Sequence, residues 1–184
     1  MGRADTRSEF VARLRRPASQ AKGEKPWAFI ALPDSASDAL PRRGRTTVEG
    51  RLAGAGFVAT LEPDGQLGHW LRVDAELMAA AGATFGDEVA VLVEAIEDEP
   101  DPAVPDDLLR ALRAAPGAWA VWRDTTALAR VDWVHWVVSA KQAKTRAERV
   151  RKACDMLASG KRRACCFDPS GHYSKAFSLP AEAD

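Results

Sequence analysis

Two clusters in this sequence carry side chains able to do chemistry. The first is Cys165, Cys166, Asp168 and His172. Thiolate and imidazole are ligands that suit zinc. Adjacent cysteines are poorly placed to share one tetrahedral ion, and no second Cys/His pair completes a site. The expectation is reduced thiols and no metal. The second cluster is "AKQAKTRAERVRKACDMLASGKRR", Ala140 to Arg163, with nine Lys and Arg against Glu148 and Asp155. Such a run is either a grip for anionic groups or the solvated back of a helix. Its candidate anion contacts are Lys141, Lys144, Arg146, Arg149, Lys161 and Arg162.

The histidines offer less. His69 stands beside Trp70 in a strand-like stretch, and His135 follows Trp133 in a helical one. These four are the candidates for a Trp-lined pocket between barrel and helices. Core packing is the competing role for most of the six tryptophans. No G-x-S-x-G, P-loop or dinucleotide fingerprint occurs, so no catalytic residue and no cofactor is assigned.

Charge narrows the partners. The formal net charge is zero, which argues against bulk affinity for nucleic acid. Base readout wants Asn or Gln beside Arg, and only Gln142 is available in the basic run. Sequence-specific nucleic-acid binding is therefore not expected. The start "MGRADTRSEF" has no apolar run of the secretory kind, and no stretch approaches a membrane span. A cytoplasmic, reducing location is the expectation.

The elements that must position these residues fall into two halves. In the first, "EFVARLRR" alternates Phe10, Ala12 and Leu14 against charged neighbours, the period of a strand. "WAFIALP" is apolar on both faces, as in a covered or barrel strand. "TTVEGRL" turns through "AGAG" into "FVATLE", and the Pro63–Gly65 turn leads to "LGHWLRV". Ser35 gives a weak capping signal for one helical turn. Asp74 caps "AELMAAA", with Gly82 as its stop. "GDEVAVLVEA" supplies the last strand. Six or seven short strands predict a small barrel.

"EAIEDEPDPAVPDD" holds seven acids and three prolines and reads as a linker. Helical patterns follow. "LLRALRAA" is stopped by Pro116 and Gly117, and "AWAVWRD" comes next. Ala127 to about Ala140 is apolar on two faces. The basic run is the last helix, with a stripe of Ala143, Ala147, Val150, Cys154 and Leu157. Glu148 is spaced to pair with Lys152, and Arg151 with Asp155. Arg146 sits close enough to the stripe to face the protein, with Asp106 or Asp107 as its expected carboxylate. The tail beyond Phe167 has little pattern and is expected to fray.

These residues resemble a known family. Trp136, Ala140, Lys141, Thr145, Arg146, Arg149, Val150, Lys152, Met156, Leu157, Gly160, Lys161 and Arg162 match the signature of the YdeI/OmpD-associated, or bacteriocin-protection, family. "VPDDLLRAL" fits that family's opening helix. "FVARL", "WAFIALP", "VEGRL" and "GDEVAVLV" resemble a small β-barrel domain of unknown function, often fused in front of it. That barrel is similar to double-split barrels of the AbrB/MazE kind, some of which bind DNA, an analogy of fold alone. The resemblance implies bacterial envelope stress or antimicrobial-peptide tolerance. It carries no catalytic residue.

The expected fold is α+β. A six- to seven-stranded barrel spans residues 8–96 and an acidic linker 97–104. A module of about four helices spans 105–168, packed on the barrel, before a tail of 169–184. The expected activity is non-catalytic binding of an anionic partner, with a small-molecule site or enzyme as the alternative. Pairing of barrel edges into a homo-oligomer is a third reading.

Overall fold

The computed structural model describes residues 5–164 and 167–184. The chain forms two compact units. The first runs to Glu97 and takes in Ser170–Asp184; the second is Asp98–Pro169.

The first unit has six strands and two short helices. They are β1 (Ser8–Arg13), β2 (Ala28–Ala31), α1 (Asp34–Ala39), β3 (Thr46–Leu52), β4 (Ala55–Pro63), β5 (His69–Val73), α2 (Ala75–Ala81) and β6 (Glu88–Ala95). The strands pair antiparallel in the order β1-β6-β3-β4-β5-β2. The two ends of this sheet meet at one point. Arg15 and Phe29 exchange both backbone hydrogen bonds, at 3.0 and 2.9 Å. The result is a nearly closed barrel, within the six to seven strands that the alternation predicts.

Period-2 patterning fills its interior. Leu14, Ile30, Val48, Leu52, Leu61, Leu71, Val73, Val91 and Val93 are buried in one cluster. Each such side chain contributes about 1.5–3 kcal/mol by leaving water. At Gly50 the neighbouring chain approaches β3 closely. A Cβ there would lie 2.0 Å from the Leu92 carbonyl oxygen and 2.9 Å from the Phe57 ring. Only a hydrogen fits, and the Phe57 ring covers the gap.

Turns obey the local chemistry. Ala53 and Gly54, both at positive φ, make the tight β3–β4 turn. The Asp64 side chain accepts from the amides of Gln66 and Gly68, fixing the turn into β5. Asp74 caps α2 by accepting from Leu77 N, and Gly82 ends it in the left-handed region. Helix α1 departs from expectation. Its N-cap is Pro33 and no side chain caps it, so Ser35 is not the capping residue.

The tail also departs from expectation. Ala18 N donates to Ala181 O at 2.7 Å, and Ala183 N donates to Arg16 O at 2.8 Å. The tail adds a short bridged segment to the first unit instead of fraying. Its anchor is Phe177, whose carbonyl oxygen would lie 2.1 Å from a Cβ at Gly65. Polar tails lack periodicity, so no sequence pattern signals this docking.

The second unit is helical, with α3 (Asp106–Ala114), α4 (Pro116–Asp124), α5 (Ala127–Val138) and α6 (Ala143–Ala158). Pro116 stops α3 and is also the first residue of α4, where its missing N–H costs nothing. Thr126 caps α5 by accepting from Ala129 N. Leu108, Leu112, Ala118, Trp122, Trp133, Val134, Val137, Val150, Ala153 and Leu157 make the core of this unit. No residue of α5 is fully exposed, as its two apolar faces predict.

The stripe of α6 is rotated from the expected one. Ala143 and Ala147 are exposed, and the inner line is Arg146, Val150, Ala153 and Leu157. Exposing an alanine costs little. Arg146 takes the inner position because a carboxylate waits there.

Candidate functional site

Within the second unit, the basic run divides largely by residue type. Three of its five arginines, Arg146, Arg149 and Arg162, serve the fold. Arg146 donates Nε–H to Asp107 Oδ2 at 2.7 Å and Nη2–H to Asp107 Oδ1 at 3.0 Å. Asp107 stands in the first turn of α3. The paired guanidinium holds the Asp107 carboxyl below its usual range and raises Arg146 in turn. Both side chains are only half-buried.

Arg149 points to the end of α5. Its Nη1–H group donates to Trp136 O at 2.7 Å and to Ser139 Oγ at 3.0 Å. It thereby satisfies a carbonyl that the helix leaves orphaned, and its charge sits at the negative pole. The guanidinium also lies 5.7 Å from the Trp136 ring centroid. Arg162 donates to Asp124 O at 2.7 Å and pairs with the Asp124 carboxylate, holding that carboxyl below its usual range. Arg162's own carbonyl accepts from Trp133 Nε1. Arg130, outside the basic run, does for α4 what Arg149 does for α5. Its guanidinium donates to the carbonyls of Trp122, Arg123 and Thr125 and pairs with Asp101 at 2.6 Å. Nothing in the spacing of Arg130 marks it for this task.

The lysines behave differently. Lys141, Lys144, Lys152 and Lys161 are exposed. None has an ion-pair partner among the described residues. Lys152 belongs to this set because its expected pair with Glu148 does not form, whereas Arg151 does pair with Asp155 at 3.2 Å. Arg163 is exposed beside Lys161. The middle of the outer face is therefore mixed, and free positive charge concentrates at the two ends of α6. This division fits the chemistry. A planar fork saturates carbonyls and carboxylates from a fixed position, while an ammonium on a flexible stem stays hydrated.

The pocket candidates sit mostly in cores. In the first unit, His69 is fully buried. Its backbone N–H donates to Ser37 Oγ and its Nε2 lies 3.1 Å from Gly44 O. Burial depresses its pKa. Trp70 is half-buried, 6.3 Å from Trp27 in a stacked pair, with Arg72 over the Trp27 ring. In the second unit, Trp133 is fully buried and His135 is 3% exposed, its ring edge-on to Phe167. These rings fill space within their own units.

Among the described residues, no group of three His, Cys, Asp or Glu side chains comes together as a metal site. Cys165 and Cys166 lie outside the described residues. Burial raises the pKa of the Cys154 thiol, away from nucleophilic use. No described helix is long and apolar enough to cross a membrane.

Comparison with known proteins adds two matches. Residues 101–160 match the family model described as bacteriocin-protection, YdeI or OmpD-associated. Residues 10–93 match the domain of unknown function DUF1905. No curated protein matches the chain.

Proposed function

We propose, for a chain whose residues 101–160 match the YdeI/OmpD-associated family model and whose residues 10–93 match DUF1905, a role as a non-catalytic accessory protein that binds an anionic partner. The contacts are Lys141, Lys144, Lys152 and Lys161, with Arg163 beside them. Arg146, Arg149 and Arg162 hold the surface in shape. One observation carries this reading. Arg146, Arg149 and Arg162 are spent on internal acceptors, while the four lysines stand exposed without carboxylate partners. Ammonium groups held apart this way attract polyanions by charge and counterion release, without reading sequence. The family description, bacteriocin protection, supports a setting in bacterial envelope stress or antimicrobial-peptide tolerance, and the reading places the protein in the cytoplasm.

The test is a salt series. The full chain is titrated with heparin, then with two duplex DNAs of unrelated sequence. The reading expects measurable binding at low salt, equal for the two duplexes. The logarithm of the affinity should fall with the logarithm of salt by about one for each lysine in contact. No binding to any of the three at low salt would overturn it.

A further inference from the structure

Strand β1 ends the sheet, and its register with β6 is unbroken from Ser8↔Val93 to Arg13↔Glu88. It contains no proline and no bulge, two of the devices that protect an edge. The two residues after it fix its hydrogen-bonding parity. Leu14 bonds toward the β6 side, through Asp87 O and Gly86 N, while Arg15 bonds the other way, to Phe29. Strand alternation then aims the N–H and C=O groups of Glu9, Val11 and Arg13 at the open edge. Among the described residues, none of these groups has a partner across that edge.

The side chains on the outer face carry a two-fold pattern. Val11 is 68% exposed. Glu9 lies two residues before it and Arg13 two after, both exposed. Glu9 has only its neighbour Arg7, at 2.8 Å, and Arg13 has no ion pair among the described residues.

We propose that β1 pairs antiparallel with β1 of a second copy of this chain, about a two-fold axis at Val11. In that register Val11 faces its own symmetry mate, and the two exchange both backbone hydrogen bonds. Glu9 of each copy then faces Arg13 of the other, an opposite-charge cross-strand pair formed twice. Other centres are less favourable. An axis at Phe10 sets Arg7 against Arg13, two like charges, and an axis at Ala12 sets Val11 against Arg13 and opposes Glu9 to Arg15, whose backbone is already bonded to Phe29. The partner is a second copy because the charge order of this strand is its own complement when reversed. This inference does not depend on the anionic-partner reading.

The experiment is sedimentation velocity of the full chain over a concentration series, with thermal melts to confirm folding of each variant. The wild type should dimerise with rising concentration. Arg13→Glu sets Glu9 against a carboxylate twice and should weaken dimerisation by about tenfold. The double variant Glu9→Arg with Arg13→Glu reverses both charges and should restore it. A wild type that stays monomeric up to its solubility limit overturns the proposal. So does a dimer indifferent to Arg13→Glu, or a charge-reversed variant that fails to recover.

Discussion

Arg146 on α6 and Asp107 in the first turn of α3 are joined by two parallel hydrogen bonds, at 2.7 and 3.0 Å. This pair ties the last helix of the second unit to its first. It also settles which way the basic run faces, because Arg146 occupies the place in the inner line that an apolar residue would otherwise take. Arg146→Ala should destabilise the second unit by about 1 kcal/mol, a value limited by the pair's partial exposure. Arg146→Lys should recover only part of this, since an ammonium cannot make the fork. Urea midpoints of the two variants check both statements.

Acid should act on the same pair. Asp107 titrates below its usual range in the folded chain. Its contribution is present above the ordinary carboxylate pKa of about 4 and is lost as pH falls through the lower folded value. The variant Asp107→Asn should remove that part of the acid sensitivity. Urea melts of both proteins, repeated as pH is lowered, measure the difference.

His69 should produce a second pH dependence of different origin. It is fully buried, and its Nδ1 has no hydrogen-bond partner among the described residues. Desolvation is the largest effect and opposes its protonation; the hydrogen bond to Gly44 O and the Asp64 charge favour it, and Arg43 and Arg42 oppose it. The folded pKa is therefore depressed. The unfolded chain takes up a proton first as pH falls below about 6.5, so stability is full above that pH and declines below it. The slope approaches about 1.4 kcal/mol per pH unit between the unfolded and folded pKa values. In His69→Gln that part of the slope should vanish while the loss from imperfect packing stays constant. Equal slopes in variant and wild type would refute this account of His69.

Much of this was legible in the sequence, for reasons that differ by element. The strands of the barrel announce themselves because each buries one face, so Phe10, Ala12 and Leu14 alternate with charged residues. Asp74 and Gly82 bound α2 because a cap needs a side-chain acceptor and a left-handed stop. The pairing of Arg146 came from its angle to the apolar stripe. Other features had no local signal. Ala143 and Ala147 looked inward by spacing, yet alanine carries too little apolar surface to insist on it. The tasks of Arg130, Arg149 and Arg162 depend on where other helices end, which no spacing within α6 encodes. The tail docks through backbone bonds at Arg16 and Ala18 and through Phe177 against a turn far away in sequence, none of which leaves a periodic pattern.

That docking yields its own prediction. Removing Ser170–Asp184 should destabilise the first unit by about 1 kcal/mol or more, through loss of the Arg16–Ala18 bridge and the Phe177 contact. Gly65→Ala should be worse in the full chain than in the truncated one. A methyl group at Gly65 meets Phe177 O at 2.1 Å only while the tail is present. The strain of a positive φ, 76° here, remains in both. Thermal melts of the four proteins form the cycle, and additivity would contradict the contact.

The division of labour between lysine and arginine in the basic run is the central claim, and one paired comparison tests it most directly. Polyanion affinity and melting temperature are measured together for two variants. In one, Lys141, Lys144, Lys152 and Lys161 are all replaced by Gln. In the other, Arg146 and Arg149 are replaced by Gln. The account predicts that the lysine variant loses heparin binding and melts like the wild type. The arginine variant should melt earlier and, while folded, bind heparin much as the wild type does. A lysine variant that binds undiminished, or an arginine variant that loses binding with its melting temperature intact, would contradict it.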